Sequence, residues 1–176
     1  VRFLLRDPVL LLPGDHFIAR MFSPVVTIGG GRVVDISIPA RQRWSQAAPR
    51  ARALAQSTPL ERIGLLVGES AFGLGVSDLI AKSGLTAKEI AALGGSDRFV
   101  RLTEPVKWLL DRAWVERTIR RIQEIVAAFH RAHPLLPGIA KEEVRSKELG
   151  QAPDFLLDAL VRLSKTVVAE GEALRL

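Results

Sequence analysis

The glycine and proline pattern of residues 12–35, LPGDHFIARMFSPVVTIGGGRVVD, limits most strongly what this chain can fold into. A Pro-Gly-Asp turn, a Ser-Pro pair and three consecutive glycines separate short runs that are rich in apolar and β-branched residues. Runs of this kind, each ended by a residue that does not continue a strand, are typical of short β-strands. We therefore predict a strand before the Ser-Pro pair, a strand over 25–28 and a strand over 32–35, as in a small β-barrel.

Helix start signals dominate the next part of the chain. Two capping boxes of the pattern Thr-x-x-Glu start helices at Thr58 and Thr86, because the threonine and glutamate side chains can satisfy the free backbone N–H groups of a first helical turn. Gly84 lies between them and provides a turn. Two short strands are predicted to follow, over 99–102 and 106–109. Helices, turn and hairpin in this order predict the winged form of the helix-turn-helix.

The last part of the chain repeats this plan. Apolar residues spaced by four and three positions occur at Val115, Ile119, Ile122, Val126 and Phe129. This spacing predicts a long amphipathic helix over about 114–133. A short helix over 140–146, a third helix that starts at Pro153, and strands over 166–169 and 173–176 complete a second winged helix.

These elements predict the α+β class, mainly α, with partial β-barrel strands followed by two tandem winged-helix (helix-turn-helix) domains. We predict the C-terminal strands of a barrel at 1–38, a basic linker at 39–57, the first winged helix at 58–112 and the second at 113–176.

Composition excludes several classes of protein. The 176 residues include no cysteine, which excludes disulfides and thiolate metal sites. His130 and His133 have no third ligand nearby in the sequence, so no metal site is predicted. The apolar start of the chain is interrupted by Arg6 and Asp7 and is too short to span a bilayer. We predict a cytoplasmic protein without membrane contact and, because the chain begins at Val1, a piece of a longer protein.

The net charge of +6 is unevenly distributed. Residues 39–60 hold four arginines and no acidic residue, and further basic residues lie off the apolar stripe of the second winged helix. An uncancelled basic charge suits a polyanionic partner. The predicted nucleic-acid-binding residues are Arg41, Arg43, Arg50, Arg52, Arg117, Arg120, Arg121, Arg162 and Lys165. The alternative is a solvated, arginine-rich linker.

Two strings resemble one known family. The sequence of 12–35 closely resembles the end of the third domain, an elongation factor Tu-like barrel, of the selenocysteine-specific translation elongation factor (SelB) family. HPLLPGIAKEEVR, at 133–145, resembles the winged-helix region of the same family. The resemblance implies a parent GTPase that uses GTP and Mg²⁺ and delivers selenocysteinyl-tRNA to the ribosome for UGA recoding, guided by an mRNA hairpin. The present piece would connect the tRNA-carrying body to the mRNA-binding tip, with auxiliary RNA contacts.

Nothing in the sequence predicts an enzyme or a cofactor site in this piece. The three glycines at 29–31 are followed by Arg32-Val33-Val34, not by the Gly-Lys-Ser/Thr of a phosphate-binding loop. Two other functions stay open: a winged-helix DNA-binding transcription regulator and a protein-interaction module. The candidate DNA-reading helices carry few basic residues, with Lys88 alone on the first, and this counts against the regulator.

Overall fold

The computed structural model describes residues 2–36 and 44–176, and for Trp44 only the backbone. Contacts divide this part of the chain into two units. The first holds the described residues up to Glu69 together with Leu74–Leu93, and the second holds Ser70–Gly73 and Gly94–Leu176. The boundary passes through the predicted first winged helix, whose helices belong to the first unit and whose hairpin belongs to the second.

The first unit begins with an antiparallel hairpin of β1 (His16–Met21) and β2 (Val26–Arg32). The predicted separate strand over 32–35 is wrong, because β2 continues through the three glycines and ends at Arg32. The glycines permit a close approach of the two strands: a Cβ on Gly30 would lie 2.6 Å from the carbonyl oxygen of Phe17. Within 2–36 and 44–176 these strands do not close a barrel.

Four helices follow in the first unit. They are α1 (Trp44–Gln56), α2 (Pro59–Glu69), α3 (Val76–Ser83) and α4 (Ala87–Leu93), with the two-residue strand β3 (Leu74–Gly75) before α3. Helix α1 thus occupies most of the predicted linker, and residues 39–43 of that linker lie outside the described part. The buried residues on the inner sides of these helices are Leu54, Ile63, Leu66, Val67, Leu79 and Ile90.

Both predicted capping boxes are confirmed. The backbone N–H of Thr58 donates to Glu61 Oε2 at 2.8 Å, and the N–H of Glu61 donates to Thr58 Oγ1 at 3.3 Å. Thr86 and Glu89 make the same reciprocal pair with the same two distances. Gly84 ends α3 with φ +74°, a left-handed conformation that favours glycine.

The second unit opens with the hairpin of β4 (Phe99–Leu102) and β5 (Trp108–Asp111), paired from Phe99↔Asp111 to Leu102↔Trp108. The strand predicted over 106–109 therefore starts two residues later. The long helix α5 (Arg112–Ala132) follows directly. Its N-cap is Asp111, whose side chain accepts a hydrogen bond of 2.9 Å from the N–H of Trp114.

The rest of the second unit is a compact winged helix. Its elements are β6 (Ile139–Ala140), α6 (Lys141–Val144), a π-helical turn (Arg145–Leu149), α7 (Phe155–Leu163), β7 (Val168–Glu170) and β8 (Ala173–Arg175). The three strands form an antiparallel sheet in the order β6-β8-β7. The fully buried side chains that join helices and sheet include Ile122, Val126, Ile139, Val144, Leu156, Leu160 and Leu174. The α+β class with a winged helix is confirmed.

No helix in the described part of the chain is both long enough and apolar enough to cross a bilayer.

Candidate nucleic-acid interface

One face of α5 brings three of the predicted basic residues together. Val115, Ile122 and Val126 bury the opposite face of this helix, so Arg117, Arg120 and Arg121 point away from the core, and all three are exposed. Arg131 follows Arg120 by eleven residues, about three helical turns, and is also exposed on that side. These four arginines are called the basic strip below. Glu124 is the acidic residue among them.

Sequence reasoning missed Arg131. The signal was present, because the apolar stripe that places the other arginines on the outer face of α5 continues through Val126 to Phe129. Arg131, about three turns after Arg120, lies on the same outer face opposite that stripe. Its inclusion lengthens the basic strip to roughly 21 Å at the rise of an α-helix.

The contacts of the strip leave its guanidinium groups accessible. Arg121 Nη1 lies 3.2 Å from Glu148 Oε1, yet the Arg121 side chain is 68% exposed. An ion pair of this kind stabilises a fold by only about 0–1 kcal/mol, because water screens it. Arg120 donates from Nε to the carbonyl oxygen of Glu116 at 3.3 Å. Neither contact prevents either arginine from approaching a phosphate.

The wing of the second winged helix lies beside the strip. Gln123 of α5 donates from Nε2 to Thr166 Oγ1 at 2.6 Å, which holds the segment after α7 against α5. Lys165, the neighbour of Thr166, is exposed. An open groove of about 630 Å³ runs between the two segments and is lined by Arg120, Gln123, Glu124, Ala127, Thr166 and Leu176. Arg162 is exposed near the end of α7. All five predicted nucleic-acid-binding residues of the second unit are thus exposed.

The predicted basic linker behaves differently. Arg41 and Arg43 lie outside the described residues, and Arg52 is exposed on α1. Arg50 was predicted to be uncancelled, and this is wrong. Its guanidinium pairs with both carboxylate oxygens of Glu69, at 2.6 and 2.8 Å, and with Asp35, and the side chain is only 12% exposed. The two acids come from outside 39–60, so a charge count within the segment could not include them.

Electrostatics support a structural role for Arg50. Its hydrogen bond to Glu69 raises its pKa above the ordinary value, burial opposes this, and the bond and charge of Asp35 add to the increase. A guanidinium so paired is not available to a phosphate, and Arg50 leaves the set of candidate binding residues.

Comparison with known proteins finds a family match for the second winged helix. Residues 123–176 match the sequence family described as "Elongation factor SelB, winged helix". This segment is similar to the winged helix of SelB. The matched region includes part of α5, most of the groove and the wing, and therefore Arg131, Arg162 and Lys165. The resemblance to the selenocysteine-specific elongation factor is confirmed.

The fold of nearly the whole chain has a known counterpart. The crystal structure of a bacterial selenocysteine-specific elongation factor, EF-Sec, aligns with a TM-score of 0.61 over 97% of this chain, at 16% sequence identity. At that identity the match shows a shared fold. The chain spans about a quarter of the length of that structure, 26%. No curated protein sequence has a significant match to the chain.

The helix that reads DNA in many winged-helix proteins is poorly suited to that role in this winged helix. In α7, five of nine residues are buried. Phe155, at its first position, packs edge-on against Trp108 with ring centroids 5.3 Å apart, and Trp108 donates from Nε1 to the carbonyl oxygen of Phe72 at 2.7 Å. One side of the start of α7 thus packs against the preceding hairpin, and the exposed side carries Asp154 and Asp158. Base reading places the start of the helix in the major groove, where two carboxylates are repelled by the phosphates.

Within residues 2–36 and 44–176, no group of three or more His, Asp or Glu side chains is arranged to hold a metal ion.

Proposed function

We propose that this chain is part of a selenocysteine-specific translation elongation factor, and that it connects the tRNA-carrying body of that factor to its mRNA-hairpin-binding tip. The match of 123–176 to the SelB winged helix and the fold shared with EF-Sec support this proposal. Delivery of selenocysteinyl-tRNA to the ribosome, GTP and Mg²⁺ binding and a cytoplasmic location belong to the proposal for the whole factor. The piece itself has no enzymatic activity in this proposal. The domain boundaries at 38, 57 and 112 are retained as a prediction.

The second part of the proposal is an auxiliary, electrostatic contact with RNA through the basic strip. The single observation that carries it is the exposure of Arg117, Arg120 and Arg121 on one face of α5, opposite the buried stripe. Four arginines spread over about 21 Å can follow several successive phosphates of an RNA strand. Such contacts provide affinity without base recognition.

The test compares two triple variants. Arg117, Arg120 and Arg121 are replaced together by Ala in one variant and by Lys in the other, and binding of a structured RNA hairpin is measured from 50 to 300 mM salt. Because each lost phosphate contact lowers the slope of log affinity against log salt by about 1, the Ala variant should bind more weakly and with a slope smaller by up to about 3. The Lys variant keeps the charges and should retain the slope.

Circular dichroism controls for folding of both variants. An Ala variant that remains helical and binds RNA with unchanged affinity and unchanged salt slope would show that the strip is only a solvated surface. Loss of binding in both variants would indicate a requirement for forked guanidinium contacts rather than for charge alone.

A further inference from the structure

Arg50 joins three segments of the first unit that are distant in sequence. Its Nε and Nη2 bind the two carboxylate oxygens of Glu69 at the end of α2, and its Nη1 binds Asp35, which follows the β-hairpin. The side chains of Arg50 and Asp35 are 12% and 9% exposed, and that of Glu69 is 36% exposed. A forked arginine between two carboxylates fixes direction as well as distance, because every bond uses a different N–H.

Two further arginines hold the end of α1 from outside that helix. Arg32, the last residue of β2, donates to the carbonyl oxygen of Ala55 at 3.3 Å, and Arg62 of α2 donates to the carbonyl oxygen of Leu54 at 2.7 Å. The last turn of α1 has no basic residue of its own. Its free carbonyl groups and the negative end of its dipole are therefore satisfied by the strand and by α2.

A backbone contact completes the connection between hairpin and helices. A Cβ on Gly84, at the end of α3, would lie only 2.2 Å from the carbonyl oxygen of Pro13. Arg62 also donates to the carbonyl oxygen of Ser83 at 3.2 Å. The turn before β1, the end of β2, α1, α2 and α3 thus meet around one polar cluster.

We propose that the Asp35–Arg50–Glu69 triad, called the latch below, is a conformational device that fixes the β-hairpin to the first helix-turn-helix. With the latch closed, a displacement of the hairpin moves α2 and α3 with it. With the latch open, the hydrogen bond from Arg32 to Ala55 and the approach of Pro13 to Gly84 remain, and the hairpin is held less firmly to the helices. All three residues of the latch lie in the first unit. The latch goes beyond the proposed function, because it requires no RNA.

Loss of the ion pairs of Arg50 explains why an open latch should change the position of the hairpin. Removal of Arg50 takes away the guanidinium that binds both Asp35 and Glu69. Breaking a buried pair on one side costs far more than the intact pair contributes. The direct connection between the residue after the hairpin and the end of α2 is then lost, so the hairpin is expected to sample more orientations relative to α2.

The chain has no cysteine, so spin labels can be attached at two engineered cysteines. One label pair, Thr27→Cys with Lys88→Cys, reports the distance from the hairpin to α4. A second pair, Gly68→Cys with Lys88→Cys, reports a distance within the helices, where Gly68 has no atom within 4 Å of a Cβ. Distances are measured by double electron–electron resonance.

Arg50→Met should broaden the distribution of the hairpin-to-helix distance and leave the helix-to-helix distance unchanged. Arg52→Met, an exposed arginine of the same helix, is the matched control and should change neither. Glu69→Gln removes one partner only and should broaden the first distance by less than Arg50→Met.

A narrow, unshifted hairpin-to-helix distance in Arg50→Met would overturn the latch. If Arg50→Met unfolds the unit, both distances broaden, and Glu69→Gln then decides: an unshifted, narrow first distance in that variant overturns the proposal, and selective broadening of the first distance supports it.

Discussion

At the scale of single residues, Gly84 carries a strong conformational constraint. Its φ of +74° lies in the left-handed region, and an added Cβ would lie 2.2 Å from the carbonyl oxygen of Pro13. We expect Gly84→Ala to lower the free energy of unfolding by at least about 1–2 kcal/mol, from the left-handed conformation alone. Urea denaturation measures this change.

Gly68→Ala is the matched control for that experiment. Gly68 lies in α2 with open space around its Cβ position, and alanine is the better helix former there by about 1 kcal/mol. The change in the free energy of unfolding should therefore be negative for Gly84→Ala and positive for Gly68→Ala. Equal stability of Gly84→Ala and the unsubstituted chain would contradict the close approach to Pro13.

Glu89 should make the stability of α4 sensitive to acid. Hydrogen bonds from the Thr86 hydroxyl, and then from its backbone N–H, lower the pKa of Glu89 below its ordinary value of 4.5. A carboxyl whose pKa is lower in the folded state stabilises the fold above its unfolded pKa, and this contribution is lost as the pH falls through the folded value. The advantage of Glu89 over Glu89→Gln should thus be full at pH 7, begin to decline as the pH falls towards 4.5, and be lost as the pH falls through the lower pKa of the folded state.

Carbon-detected titration of the Glu89 carboxyl checks this prediction directly. Thr86→Ala removes the hydroxyl donor and should return the pKa of Glu89 towards its ordinary value. A titration curve of Glu89 that Thr86→Ala does not change would mean that the capping box does not form in solution.

At the scale of elements, the β-hairpin should be the least protected part of the first unit. All seven residues of β2 are exposed, and large apolar side chains of 2–36 that face water include Phe3, Leu4, Leu10, Ile18, Phe22, Val25 and Ile28. A two-stranded sheet without a covered face is marginally stable in water. Amide hydrogens of 17–31 should exchange faster than those of α5.

The base of the hairpin should exchange more slowly than its tip. Pro13 is buried, and Gly14 and Asp15 exchange backbone hydrogen bonds of 2.8 and 2.7 Å with Val33 next to the latch. We therefore expect a gradient of protection from Val33 to the turn at 22–25. Uniform protection of 17–31 at the level of α5, in a protein shown to be monomeric, would contradict this prediction.

The basic strip also gives a prediction for Arg131, the residue that sequence reasoning missed. Arg131→Ala should lower the salt slope of RNA binding by about 1, because one phosphate contact is lost. Arg131→Lys should leave the slope unchanged. If Arg131→Ala binds as the unsubstituted chain does, the strip ends before the last turn of α5.

At the scale of the whole molecule, the chain should not bind GTP. The three glycines that suggest a phosphate loop lie inside β2, where Gly29 and Gly30 pair with Ala19 and Ile18. A phosphate loop instead leads into the N-terminus of a helix, whose N–H groups bind the phosphates. A fluorescent GTP analogue should show no saturable binding at micromolar concentrations, and saturable binding would contradict the proposal that nucleotide binding belongs to another part of the factor.

Local sequence determined most of the helices, the starts of α2 and α4 and the outer face of α5, whereas α1 was predicted as a linker. The two capping boxes, the turn at Gly84 and the period of α5 all depend on residues within about four positions of one another, and hydrogen bonds at that range form wherever the pattern occurs. For the same reason, the exposure of Arg117, Arg120 and Arg121 followed from the apolar stripe alone. The approximate strand positions followed as well, but their ends did not, because pairing with a partner strand fixes them.

Only the tertiary structure decided the role of Arg50, the path of β2 through its glycines and the packing of Phe155 against Trp108. Arg50 lies 15 residues from Asp35 and 19 residues from Glu69, and Trp108 lies far from Phe155 along the chain. Contacts at such separations depend on how folded elements pack, which no local pattern encodes. The sequence gives the charge of a segment directly. Whether that charge is available to a partner depends on which acidic side chains the fold places beside it.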